Sequence, residues 1–170
     1  MESGARWMVV AVAGAIVVAG TLFMRRLTPD AGSAAATAQQ QVAPAAEYLG
    51  VEATAALNLP FSEAVRVGDV LYLSGTIGTL PGTRELPPGG IEAETRQVME
   101  NIKARLERYG SGMDRVIRCT VMLADMAEWG RMNEVYVTFF PGNKPARSAF
   151  GTSGLALDAR VEIECTALAG

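Results

Sequence analysis

Hydrophobic and polar positions divide this chain into three stretches of different character. Residues 7–24, WMVVAVAGAIVVAGTLFM, run for eighteen residues without a charge. Residues 28–47 are rich in Ala, Gln and Pro and offer almost nothing large to bury. From Tyr48 to Gly170 apolar residues recur with regular period among mixed charges, a stretch of about 120 residues and so a common size for one domain with one core. The organisation expected is therefore a hydrophobic segment over 1–27, a linker over 28–47 and a globular domain over 48–170.

Within the globular stretch the periods change in a readable order. Ala64-Val65-Arg66-Val67, Gly68-Asp69 and Val70-Leu71-Tyr72-Leu73 predict a β-hairpin, with Gly at the first turn position suiting a type II′ connection. Residues 78–90, GTLPGTRELPPGG, form a long Pro/Gly loop expected to be mobile. A helix is predicted over Ile91–Tyr109, where Ile91, Thr95, Val98, Ile102, Leu106 and Tyr109 repeat at spacings of three and four. Glu92 and Glu94 near its start and Arg105 and Arg108 near its end complement the helix dipole, and Gly110 ends it. Residues 115–123 then alternate, with Ile117, Cys119, Val121 and Leu123 on one face and Arg118 and Thr120 on the other.

Asp125, with Glu128 three residues on, is a candidate N-cap for a second helix that ends before Pro141-Gly142. Trp129, Met132, Tyr136 and Phe139 lie on its apolar side, a stripe read as core. Two strands around 146–151 and 160–168 complete a β-β-α-β-α-β-β order. Cys119 and Cys165 fall on apolar faces and read as inert buried thiols. The fold class is α+β, a mixed sheet with two helices on one face. The other sheet face carries polar residues and must meet water or another subunit.

The N-terminal segment has two readings. Eighteen residues at about 1.5 Å each reach roughly 27 Å, close to the thickness of a hydrocarbon core. A cleaved signal peptide would want a basic start, whereas Glu2 offsets Arg6, and its cleavage site falls as far on as Ala34–Ala38. An uncleaved membrane anchor accounts better for Arg25-Arg26 at the far boundary. Those two arginines against Arg6 lean towards a cytoplasmic domain.

Composition removes whole classes of chemistry. The chain has no histidine, which excludes Ser-His-Asp and Cys-His hydrolases and an HExxH zinc site. Two cysteines are too few for a zinc ribbon or a disulfide framework, and neither a Walker A nor a G-x-G-x-x-G turn occurs. With a net charge of −3 and no continuous basic stripe, nucleic acid is not an indicated partner. Catalysis here would run on carboxylates, arginine, hydroxyls, backbone groups or water, without metal or cofactor.

Five blocks carry a resemblance. They are Leu59-Pro60-Phe61-Ser62 with Ala64–Gly68; Leu73-Ser74-Gly75; Glu94–Ile102; Met132-Asn133-Glu134-Val135-Tyr136; and Pro145-Ala146-Arg147-Ser148 followed by Val161-Glu162-Ile163-Glu164. In order and spacing, from about Tyr48 to Ala169, they resemble the RidA (YjgF-type) family. The resemblance implies a chorismate-mutase-like fold, a homotrimer with clefts between subunits, and hydrolysis of 2-enamine and 2-imino acids to 2-keto acids and ammonia. It places the substrate carboxylate on Arg147 and the attacking water on Glu162. Ser74, Gly75 and the backbone at Ala149 would line the cleft, with Asn133 near it.

The chemistry agrees. A guanidinium matches a carboxylate bidentately, and a fixed carboxylate can orient water towards an imine carbon. Three departures stand out: Phe61 where the family's deaminases commonly have tyrosine, Ala149 where they commonly have cysteine, and Gly154-Leu155-Ala156-Leu157 in place of Leu-Pro. The alternative expectation is a non-catalytic trimer that binds a carboxylate metabolite in the same cleft.

Overall fold

The computed structural model describes residues 44–170. The expected segment over 1–27 and most of the linker lie outside the described residues. Among the described residues no helix is long and apolar enough to cross a membrane.

Seven strands and three α-helices alternate along the described residues. They are β1 (Ala46–Leu49), α1 (Val51–Ala56), β2 (Ala64–Val67), β3 (Val70–Leu73), β4 (Thr76–Ile77), α2 (Gly90–Arg108), β5 (Val116–Leu123), α3 (Trp129–Tyr136), β6 (Ala146–Gly151) and β7 (Val161–Leu168). The expected order survives, with β1, α1 and β4 added. β1 takes in Ala46 and Glu47, which lack the apolar period of a core strand because the strand is an exposed edge. The sheet runs β1-β2-β3-β7-β5-β6, with β4 also pairing β7. Among the described residues only β5 and β6 run parallel, joined by the crossover through α3; the other pairs are antiparallel.

At the β2–β3 turn Gly68 has φ 56° while Asp69 keeps a negative φ, as a type II′ turn requires. The α2 stripe is buried as predicted: Ile91, Thr95, Val98, Ile102 and Leu106, joined by Met99, pack on Val121, Val161, Ile163 and Ala167 of the sheet. Each fully buried aliphatic side chain there is worth roughly 1.5–3 kcal/mol against exposure. The 78–90 loop carries a turn of its own, with Leu80 N donating to Glu85 O and Thr83 N to Leu80 O. Asn101 Nδ2 on α2 ties it down by donating to Ile77 O and Thr79 O.

Three readings are corrected. Ile117 does not face the core: a bulge between Val116 and Arg118 shifts the register, so Val116 is buried and Ile117 is 43% exposed. Trp129 is 44% exposed at the start of α3, because a 3₁₀ turn over Met126–Glu128 precedes the helix and changes its phase. Asp125 does cap that turn, accepting from Ala127 N at 2.8 Å, whereas Glu128 turns to Arg160 at 2.7 Å. Finally, Cys119 and Cys165 are not free thiols but form a disulfide. They stand directly opposite each other on β5 and β7, so two inward side chains meet where alternation alone gives only two apolar positions.

Candidate active site

The predicted site residues fall into two groups. Phe61, Ser74, Gly75 and Glu162 gather at one end of the sheet, where a cleft of about 800 Å³ opens between α1, the 78–90 loop and α2. Phe61, Gly75 and Glu162 line it. Ser74 sits behind them: its hydroxyl donates to Ser62 O at 2.7 Å and its amide to Glu63 O at 3.1 Å, fastening the Phe61–Glu63 segment to β3. Gly75 lets the Glu162 carboxylate lie against the backbone. An added Cβ there would overlap Glu162 Oε1 and meet Cδ at 3.0 Å. No cation lies within salt-bridge distance of Glu162 among the described residues. Burial, and secondarily Glu164, raises its pKa above the ordinary carboxylate value.

Asn133, Arg147 and Ala149 form the second group. Arg147 Nη1 donates to Asn133 Oδ1 at 2.6 Å. Its guanidinium stacks 4.7 Å from the Tyr136 ring centroid and 6.0 Å from that of Trp129. Burial pushes the Tyr136 hydroxyl up to about 12, against a lowering pull from Arg147. Ala149, two residues along β6, shares this face and packs against the core.

The register shows why the two groups stay apart. Arg147 pairs with Cys119 and therefore lies on the helix-covered face. Glu162 pairs with Met122, on the open face, and β5 stands between the two strands. Within one chain Arg147 and Glu162 look out from opposite sides of the sheet. That open face holds Tyr72, Met122, Phe150 and Leu168 around Thr120 and Thr166, with Tyr72, Phe150 and Leu168 largely uncovered.

Sequence reasoning missed Arg105. It was assigned to the helix dipole, yet its Nη1 reaches Thr76 Oγ1 at 2.8 Å and Ser74 O at 3.4 Å, and the residue lines the cleft. Burial lowers its pKa, offset in part by Glu63. Glu63 itself is engaged at the rim by Arg108 at 2.9 Å and by the Tyr109 hydroxyl. The signal was present: Asn101, Arg105 and Arg108 repeat at spacings of four and three along a flank of α2.

A family model described as Endoribonuclease L-PSP matches residues 51–169. The chain belongs to that family, the RidA family of the resemblance above. RidA relatives cover most of their own length in the match. The chain is 40% identical over 111 residues to a mouse protein named 2-iminobutanoate/2-iminopropanoate deaminase, spanning 65% of this chain and 82% of that one. It is 45% identical over 108 residues to a RutC family protein of Pyrococcus horikoshii, spanning 64% and 86%. Among solved structures, RidA from an Antarctic Psychrobacter superposes with a TM-score of 0.62 at 38% identity, covering 64% of this chain and 88% of that one. The α+β RidA fold expected from the sequence is thereby established.

Proposed function

We propose that the protein hydrolyses the C=N bond of small 2-imino acids, releasing a 2-oxo acid and ammonia. The observation that carries the reading is the Glu162 carboxylate, held against Gly75 in the cleft without a cationic partner among the described residues. Water adds to C2 of the imine while Glu162 accepts its proton. Glu162 passes that proton to nitrogen, completing the carbinolamine. It then takes the hydroxyl proton and delivers it to the same nitrogen as the C–N bond breaks, so that ammonia leaves and the carbonyl forms. A carboxylate whose pKa is raised towards neutrality is the better base for that transfer. Relatives about 40% identical that are named as imine deaminases support the same chemistry. Although the family model is described as an endoribonuclease, a net charge of −3 without a basic stripe gives RNA little to hold.

The carboxylate clamp is Arg147 of a second copy. One chain cannot bring Arg147 to its own Glu162, and the uncovered Tyr72, Phe150 and Leu168 on the open face offer a surface for such a copy. Following the family resemblance, we read the assembly as a homotrimer. A coupled assay of 2-oxo acid release from freshly generated 2-iminopropanoate and 2-iminobutanoate tests the activity. Light scattering of the chain from Pro44 onward tests the shared site; a stable monomer at micromolar concentration would remove it. Phe61 brings no hydroxyl to the cleft and favours a second reading, carboxylate binding without turnover. Binding of 2-oxo acids by a chain that hydrolyses no imine would establish that reading instead.

We further infer that residues 7–24 tether the protein to a membrane. The Cys119–Cys165 disulfide supports a domain on the oxidising side, opposite to the side suggested by Arg25-Arg26. Carbonate extraction with N-terminal sequencing tests the tether, and protease access in intact cells tests the side.

A further inference from the structure

Trp129 exposes a large apolar ring at the first residue of α3, where it is 44% accessible to solvent. Trp129, Asn133 and Tyr136 follow one another at spacings of four and three, so they share one side of the helix. Arg147 lies against all three. Tyr136 is buried, its hydroxyl sealed without a partner, and Asn133 spends Oδ1 on Arg147 Nη1. Trp129 is the member of the stripe that turns its surface outward beside the guanidinium.

That surface lies where a ligand's side chain would go. Among the described residues no carboxylate pairs with Arg147, which leaves its fork to a carboxylate from outside. A carboxylate held there at N–H···O distances of about 2.8 Å carries its substituent only a few ångströms further out. The Trp129 centroid is 6.0 Å from the guanidinium carbon, so a side chain on such a ligand comes within reach of the ring. The acid half of the shared site agrees. Phe61 lines the Glu162 cleft, is 48% exposed and brings no hydroxyl. Its segment is fastened to Ser74, the neighbour of the Gly75 on which Glu162 rests. Clamp and acid are each accompanied by an exposed ring.

We propose that Trp129 is a specificity determinant that packs against the substrate's side chain, so that the preferred substrates are 2-imino acids with an aromatic side chain. This rests on the deaminase reading and on Arg147 as the carboxylate clamp. The chemistry is unchanged: water adds to C2, and ammonia and an aromatic 2-oxo acid leave.

The test compares 2-imino-3-phenylpropanoate with 2-iminobutanoate, each generated in place by an amino acid oxidase and offered to the full chain. Calorimetry with phenylpyruvate and 2-oxobutanoate runs beside it. The wild-type protein should favour the aromatic ligand in both assays. Trp129→Ala should lower the ratio of kcat/KM for the two imines by roughly tenfold to a hundredfold, the range for one aromatic packing surface. Trp129→Leu keeps apolar bulk without the ring and should lower the ratio by a smaller factor; it carries the test if the alanine variant does not fold. Equal losses on both imines would reduce Trp129 to a support for Arg147 and overturn the proposal, as would a wild-type preference for 2-iminobutanoate. A folded Trp129→Ala chain that light scattering shows as a monomer would assign the ring to the contact between copies and overturn it too. Absence of turnover on both imines would sink the deaminase reading alone. Calorimetry would then decide, with equal binding of the two oxo acids counting against the aromatic subsite.

Discussion

Gly75→Ala separates folding from chemistry more cleanly than removal of Glu162 would. Gly75 does not have a positive φ, so alanine fits the backbone and should contribute about 0.4–1 kcal/mol by restricting the unfolded chain. The new Cβ, however, falls on Glu162 Oε1, with Cδ at 3.0 Å and Cγ at 3.4 Å. Only the far end of a flexible side chain has to yield, so the carboxylate swings by roughly 1 Å or more while the sheet stays as it is. A displacement of that size at a reacting group costs on the order of a hundredfold in turnover. Oxo-acid release should fall by about that factor, with a melting temperature within a few degrees of wild type. Wild-type turnover in Gly75→Ala would refute the idea that Glu162 acts from its observed position. Loss of folding would refute the claim that the clash is confined to a movable side chain.

Arg147→Ala should lower turnover by about 30- to several-thousand-fold and abolish 2-oxo acid binding, by steady-state assay and calorimetry, as roughly 2–5 kcal/mol is lost with one partner of a desolvated charge pair. The acid limb of kcat/KM should lie above the ordinary carboxylate value of 4.5, and Glu164→Gln should move it to lower pH by removing one cause of the shift. The stability effect has the opposite sign: because the fold raises the Glu162 pKa, its contribution is full below the ordinary value and lost as pH rises through the folded one. Glu162→Gln should therefore melt higher than wild type at neutral pH while losing activity. Reducing the Cys119–Cys165 bridge, which spans 46 residues, should cost about 4 kcal/mol in denaturant unfolding, and a thiol titration of two free cysteines in the untreated protein would contradict it.

The sequence showed most plainly what a single period decides. The α2 stripe and the alternation of β7 were legible because burial of one face dictates them. Edges were not: Ala46–Leu49 pairs only with β2 and has no inward apolar set to betray it. Ile117 misled because a bulge adds one residue without changing the local composition. The two cysteines were placed on the right faces, but which residue on β5 stands opposite Cys165 is a property of register, invisible in either strand alone. For the site, short blocks of neighbouring residues made Arg147 and Glu162 legible as candidates. Their lying on opposite faces of the sheet was not, because it depends on the parallel pairing of β5 with β6. Arg105 escaped because a basic residue in the last turn of a helix already has a reason to be there.

The opposed placement of Arg147 and Glu162 also has a genetic consequence. If every site takes its acid from one copy and its guanidinium from the next, a lesion in either residue is a defect in a relationship, not in a molecule. Arg147→Ala chains and Glu162→Gln chains, each inactive alone, would regain some activity when assembled together. Random mixing in a closed ring rebuilds an unmutated pairing at about one junction in four. Two inactive alleles would thus complement each other within one gene, whereas a chain carrying both changes would rescue neither.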